Sequence, residues 1–538
     1  MSALPSTSPS ASGAGDVAAP SEKQQHSSSD IAAATDTLPA LAASSPLDAP
    51  APVQRPTGTL MRIYSKPITQ IVLLGLVCFL TAGFFNALSG IGGGGQVSAD
   101  AANTANLALY SVFAVVSFFS GSILNRLGSR LTLFLGALGY CLYIISFLVY
   151  NIYANKGFVI AAGAILGVCA SLLWVAQGSL MLSIPTESQK GQFIAVFWCI
   201  FNLGACLGSA IELGLTYHST QNTVSNGVYA SFVVLTGLGA CCAMLLRDPA
   251  KMIRDDGTRV TVPRQTSWRT EFRGLFQLLV SDRWIVCLFP LFAASNFFYC
   301  YQFNDFNSPL FTLRTRALNS FLYWASQMGS SVAMGRLLDS RRMCRRSRAW
   351  VGWSVVFVLV WTVWGGSYAK QLQYTRADTQ QPWWDARRID FTQSRSYAGL
   401  CILYILMGVL DACFQTYAYY VIGTVSNDPA KLGFLAGFYK SFQSAGAAVA
   451  FAMDSKYEPF MTNLATGWAL CAAGMVCALP VIALRVTNTT VEASPVGGVE
   501  GARNSESDVE SARASTGGGG VVVATKEEDV STPGSEKA

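Results

Sequence analysis

Between Ile68 and Arg485 the chain repeats one pattern about twelve times: roughly 20 mostly apolar residues, long enough to cross a bilayer as a helix, then a short polar break. The pattern predicts an all-α polytopic membrane protein. Only 13% of the 538 residues are charged and mean hydropathy is +0.37; the charges sit in the breaks, whereas a soluble chain would carry them every few positions. The expected spans are 68–90, 103–125, 131–151, 158–183, 190–213, 227–246, 284–305, 317–338, 349–368, 397–424, 431–453 and 461–484.

Both ends differ in kind from the middle. Residues 1–66 begin with a Ser, Ala, Pro and Thr-rich stretch, and residues 486–538 are rich in Gly, Ser, Glu and Val, with a run from Gly517 to Gly520. Neither can bury enough apolar surface to offset its ordering entropy, so both are expected to be disordered tails. No basic start followed by a short apolar core and a cleavage site is visible, so insertion is expected to use the first span.

Twelve spans put both tails on one side. Breaks on that side hold Arg126 and Arg130, Lys190, seven basic residues from Arg247 to Arg273, and the Arg341–Arg348 cluster. On the other side Gly90–Ala102 and Gly214–Asn226 carry neither Lys nor Arg, and only Lys370–Ser396 is rich, with Asp378, Asp385 and Asp390 interspersed. The positive-inside bias therefore predicts cytoplasmic tails and a cytoplasmic central loop, 247–283, joining a first half, 67–246, to a second, 284–485.

Several function classes fall away. The net charge of +6 lies beside helix ends, which points to a bilayer rather than nucleic acid as partner. The 14 cysteines are scattered through apolar stretches without a CxxC pair, as small packing residues are. Gly92–Gly95 has no Lys-Ser/Thr after it, so it reads as a flexible break at the outer surface rather than a phosphate loop. The chain has two histidines, His26 in the first tail and His218 in an outer break, which leaves a His-based triad without a base in the membrane core. No catalytic residue, metal ligand or cofactor is expected, and any transport is driven by gradients.

The two halves repeat each other. Gly167-Val168 matches Gly408-Val409, and the same shift of 241 carries Phe193, Ala195, Phe197, Trp198, Phe201 and Asn202 onto Phe434, Ala436, Phe438, Tyr439, Phe442 and Gln443. Earlier in each half, Gly121 to Asn125 matches Gly335 to Asp339 at a shift of 214, with Arg126 resembling Arg341 one residue later; the long Lys370–Ser396 break supplies the difference of 27 as an insertion. Parallel six-helix repeats with a substrate path between them are the plan of the major facilitator fold.

The segment Gly121–Arg130, GSILNRLGSR, resembles the loop signature between spans two and three of the major facilitator superfamily, with Asn125 where an acidic residue is usual. The second copy keeps Asp339. The resemblance implies a cytoplasmic gating loop built on Arg126, Arg130, Asp339 and Arg341. Gly83–Gly95 (GFFNALSGIGGGG), Ser295–Asn304 (SNFFYCYQFN) and Leu313–Trp324 (LRTRALNSFLYW) further resemble the Unc-93-like family, particularly its fungal members. That family implies the superfamily fold but no common substrate. Some animal relatives are a channel accessory subunit and a receptor-trafficking chaperone, so the partner is either a small solute or another membrane protein.

Ionisable groups inside a membrane are costly and point to function. Glu212, Asp305 and Asp454 fall near span ends, where a wet interface explains them. Asp411 and Lys440 lie deeper, roughly 20 and 14 Å from the cytoplasmic ends of the tenth and eleventh spans at ~1.5 Å per residue. At shift 241 they correspond to Ala170 and Cys199, so both charges are absent from the first half and present in the second, as mutual neutralisation predicts. Two readings stay open, a static ion pair and a substrate- or proton-coupling site. Asn202, Gln443, Gln415, Asn296, Tyr299 and Gln302 are the further candidates for the cavity wall.

Overall fold

A computed structural model describes residues 58–487 except 96–99, 186–189, 219–222, 255–259, 261–272, 274–275, 278, 281, 341 and 426–428. Residues 1–57 and 488–538 of the expected tails, most of the central loop and Arg341 of the expected gating loop lie outside the described residues; within the first tail Thr59–Tyr64 is a short helix. The described residues fall in one contact unit, Arg55–Ala538.

Twelve long helices are present among them. The first is α1, Pro67–Gly90. Gly128, at φ 75°, breaks the helical run Asp100–Tyr153 into α2 (100–127) and α3 (129–153). The rest of the first half is α4 Lys156–Ser183, α5 Lys190–Thr216 and α6 Asn226–Met244. The second half holds α7 Arg283–Leu310, α8 Leu313–Leu338, α9 Arg345–Gln371, α10 Ser394–Val425, α11 Pro429–Ser455 and α12 Phe460–Leu484. Ten are long and apolar enough to span a membrane by composition. The two others, α8 and α11, are 26 and 27 residues long and complete the two six-helix repeats. They are too polar for a hydropathy test for a physical reason: the polar residues Arg316, Asn319, Ser320 and Gln327 of α8, and Gln443 and Ser444 of α11, are buried against protein.

The repeat in the sequence returns as a repeat in packing. A side chain on Gly167 of α4 would run into the carbonyl of Leu109 on α2, and one on Gly408 of α10 into the carbonyl of Tyr323 on α8. Gly408 follows Gly167 by 241 positions, and Tyr323 follows Leu109 by 214. Both shifts therefore meet at one conserved helix crossing, where the missing Cβ lets two backbones touch. Buried apolar side chains gather into one large cluster per half, with Leu313 and Ala317 of α8 joining the first and Ala205 and Cys206 of α5 joining the second, and a small third cluster of Phe297, Cys300, Ala450 and Phe451.

The insertion that separates the shifts is ordered. A short helix, Arg376–Thr379, opens with a reciprocal Thr375–Asp378 capping box, and Phe311 bridges Ile389 farther on. Asp390 accepts hydrogen bonds from Arg314 Nε (2.6 Å) and Nη2 (2.9 Å), from Thr312 and from Thr392. Burial opposes its ionisation, but these donors outweigh burial and hold the carboxyl well below the usual range.

The glycine run is not a flexible surface break. Gly92, Gly93, Gly94 and Gly95 all have positive φ, between 60° and 79°, and all four are buried. A Cβ on Gly92 would meet the Phe303 carbonyl, so only glycine fits this left-handed stretch against α7. Its backbone is engaged as well: Gly93 N donates to Asn304 Oδ1 (2.8 Å) and Gly94 O accepts from the Tyr229 hydroxyl (2.6 Å).

Candidate functional site

Helical spacing in the second half aims polar side chains at one point. Asn296 and Tyr299 are three apart on α7, Tyr323 and Gln327 four apart on α8, Asp411 and Gln415 four apart on α10, and Lys440 and Gln443 three apart on α11, so each pair shares a face. Asp411 is fully buried. Its Oδ2 accepts from the hydroxyls of Tyr299 (3.0 Å) and Tyr323 (3.0 Å) and from Gln327, and its Oδ1 accepts from Gln415 Nε2 (2.7 Å).

Lys440 is not among those donors, which corrects the direct Asp411–Lys440 pair expected from their depths. Its ammonium donates to Gln443 Oε1 (2.9 Å), Gln443 Nε2 donates to Gln415 Oε1 (3.2 Å), and Gln415 donates to Asp411. Two amides thus stand between cation and anion with their donor directions aligned. Depth along a helix says nothing of azimuth, and the two carboxamides fill the space between the axes. Gln443 also donates to Asn296 Oδ1 (2.9 Å).

These groups form one side of a cavity of about 120 Å³ between the halves. Asn296, Tyr299, Gln327, Gln415, Lys440 and Gln443 line it from the second half. The first half contributes mostly rings, Phe85, Tyr110, Phe113, Tyr140, Trp174 and Trp198, together with Asn86 and Asn202. Lys440 Nζ sits over the rings of Trp174, Tyr439 and Tyr419 at 5.6, 5.4 and 5.9 Å from their centres, within cation–π range.

Of the sequence candidates, Gln302 lies elsewhere: it is buried within the second half, where its Oε1 accepts from the Tyr323 hydroxyl (2.9 Å). Tyr323, Gln327 and the aromatic wall were not anticipated; the four-residue spacing of Tyr323 and Gln327 in an otherwise polar span was the available signal. In the expected gating loop Arg126 and Asp339 are exposed, and Arg130 is half-buried with its Nε unpartnered. No ion pair joins these three among the described residues.

The end of the bundle away from the tails is sealed. Glu212, Asp305 and Asp454 are buried there, not at a wet interface. Arg376, from the inserted loop, reaches in to pair with both Asp305 (3.4 Å) and Asp454 and lies over the Phe460 ring, which explains how two carboxylates persist in one buried place. Asp454 and Asn304 both bind Asn103 of the first half. Arg316 of α8 is buried, and its guanidinium donates to the carbonyls of Ile91 (2.6 Å) and Gly92 (2.7 Å) at the end of α1, a cation at a helix C-terminus. Both oxygens of Glu212 lack a hydrogen-bond partner behind it. Among the described residues every hydrogen bond joining the halves lies toward this end, such as Ser209–Ser320 (2.8 Å), Asn307–Gly90 (2.9 Å) and Arg314–Tyr217 (3.3 Å).

Comparison with known proteins bears on this geometry. A family described as "Ion channel regulatory protein UNC-93" matches residues 93–479. An UNC93-like protein of Schizosaccharomyces pombe is 47% identical over 79% of this chain and 84% of its own length. UNC93-like protein 1 of Arabidopsis thaliana is 40% identical over 76% of this chain and 88% of its own. Among solved structures, a D-xylose-proton symporter aligns with a TM-score of 0.54 at 13% identity, covering 79% of this chain and 99% of that one. The nucleoside transporter NupG aligns at 0.51 and 12%, covering 78% and 99%. The structural likeness is one of fold.

Proposed function

The chain belongs to the UNC-93 family, and from that membership, its major facilitator fold and the cavity between its halves, we propose that it is a secondary transporter of a small solute. One observation carries the reading. A cavity lined by both six-helix halves has a lysine in its wall, and the hydrogen bonds between the halves gather on one side of it. Rocking the halves breaks that seal and opens the cavity to the opposite face while the helix packing inside each half is kept. The tails face the cytoplasm in this reading, by the Arg-rich breaks. Structural likeness to proton-driven carriers supports gradient-driven movement. Purified protein in proteoliposomes, screened for uptake of a broad solute set under an imposed pH gradient, tests it: at least one solute accumulates, and Lys440→Met abolishes the accumulation.

The description of the matching family favours a second reading, a regulator that uses the fold to hold a channel or receptor. Silence across the uptake screen, together with stable co-purification of a membrane partner that survives Lys440→Met, would select the regulator.

A further inference from the structure

The charge inventory of the cavity restricts what it can hold. Among the described residues Lys440 is the one of formal charge in the lining. An ammonium has three donors; one meets Gln443, and the others face rings rather than acceptors. Asp411 lies one layer behind the wall and is joined to Lys440 through Gln415 and Gln443. The empty site is therefore neutral, with one positive and one negative group in a place where an uncompensated charge is expensive.

An anionic ligand on Lys440 would leave the site with one net negative charge. A cation would meet the lysine's repulsion. A neutral ligand would leave the ammonium's remaining donors unused. The opposite wall offers ring faces, with Tyr110, Tyr140, Trp174 and Trp198 around a volume of about 120 Å³. An apolar cavity of ~150 Å³ holds a benzene molecule, so this space is on the scale of a single ring.

Building on the transporter reading, we infer that the solute is a small aromatic monocarboxylate, bound with its carboxylate on Lys440 and its ring against the first-half wall, and accompanied by one proton on Asp411. No covalent bond changes. The anion and the proton enter together, the carboxylate of Asp411 becomes a carboxylic acid, and both leave together, so the loaded and empty sites are equally neutral. The titratable groups facing Asp411 are Tyr299 of α7, Tyr323 of α8, Tyr439 of α11 and Cys413 of its own helix, with Lys440 beyond the two amides. Among these described neighbours Asp411 is the one carboxyl, which makes it the proton acceptor.

Benzoate and its uncharged isostere benzamide test this on the full-length protein in detergent. Benzoate is expected to raise the melting temperature and benzamide to leave it unchanged, with the benzoate effect lost in Lys440→Met. Calorimetric titration in two buffers of different ionisation enthalpy is expected to find one proton taken up per benzoate bound, and none in Asp411→Asn. Should Asp411→Asn fail to fold, the unsubstituted protein suffices: above the ionisation of Asp411 the benzoate Kd is expected to weaken about tenfold per pH unit. Equal responses to benzoate and benzamide, a benzoate response surviving Lys440→Met, or a Kd flat from neutral to alkaline pH would overturn the inference. If uptake of another solute is found while benzoate fails to bind, the transporter reading stands and the carboxylate inference falls. If benzoate binds with its proton but no solute is ever carried, the inference about the site stands and transport falls.

Discussion

The two walls of the cavity occupy equivalent places in a duplicated fold and differ in chemistry. At the shift of 214, Ala82, Phe85 and Phe113 stand opposite Asn296, Tyr299 and Gln327; at 241, Ala170 and Trp174 stand opposite Asp411 and Gln415. Asn202 and Gln443 keep the same character, and so do the rings Tyr110 and Trp324, 214 positions apart. The crossings that set the helix positions are shared, as at Gly167 and Gly408, so the halves differ in polarity on one common frame. A cavity with one mainly aromatic wall and one wall rich in amides and a lysine orients a ligand, whereas two like walls would accept it either way round.

The difference between the walls is most exposed at Asp411. Asp411→Ala strands the Lys440 charge and four donors, and is expected to cost about 3–5 kcal/mol. The counterpart change Ala170→Gly removes one methyl from a helix and should cost only about 1 kcal/mol. Thermal unfolding in detergent compares them, and similar losses would erase the proposed asymmetry.

The shared frame predicts the reverse pattern. Gly167→Val and Gly408→Val each push a side chain into a carbonyl, and each is expected to lose about 1–3 kcal/mol by overpacking. A loss in one half without the other would show that the crossings are not equivalent.

Coupling between the charges should be smaller. Asp411→Asn and Lys440→Met, combined in a double-mutant cycle, are expected to interact by about 1 kcal/mol, at the low end of values for groups in one network because two amides intervene. Adding Gln443→Leu should bring that interaction toward zero.

The smallest effect lies in the insertion that only the second half possesses. Asp390→Asn weakens the Arg314 clamp and should lower stability by about 1 kcal/mol. Because the folded carboxyl is held below its unfolded value, its contribution is present above the ordinary carboxylate range and lost as pH falls through the depressed folded value. Melting curves of the two proteins should therefore differ at neutral pH and converge only in strong acid.

Much of this frame is legible in the chain, because span length and the constant shifts are one-dimensional signals: each of the twelve expected spans overlaps one long helix. Facing is another matter. In helices apolar on most sides, periodicity does not say which side meets the cavity, so neither the facing of Tyr323 and Gln327 nor the separation of Asp411 from Lys440 is legible in the chain. The buried state of Asp305 and Asp454 depends on Arg376 folding back from a loop 71 and 78 residues from them in sequence. A long-range partner of that kind leaves no local trace.

Alternating access across the cavity is the central claim, and it is tested without knowing the solute. Place a single cysteine at Ser444, a cavity-lining position, in a protein whose native cysteines are replaced, and expose each membrane face separately to a membrane-impermeant thiol reagent. With the Arg316 seal intact, labelling is expected from the tail side; Arg316→Ala, which releases the end of α1, should open labelling from the opposite face. Labelling from the sealed face while Arg316 is present, or an identical one-sided pattern in both proteins, would contradict the account.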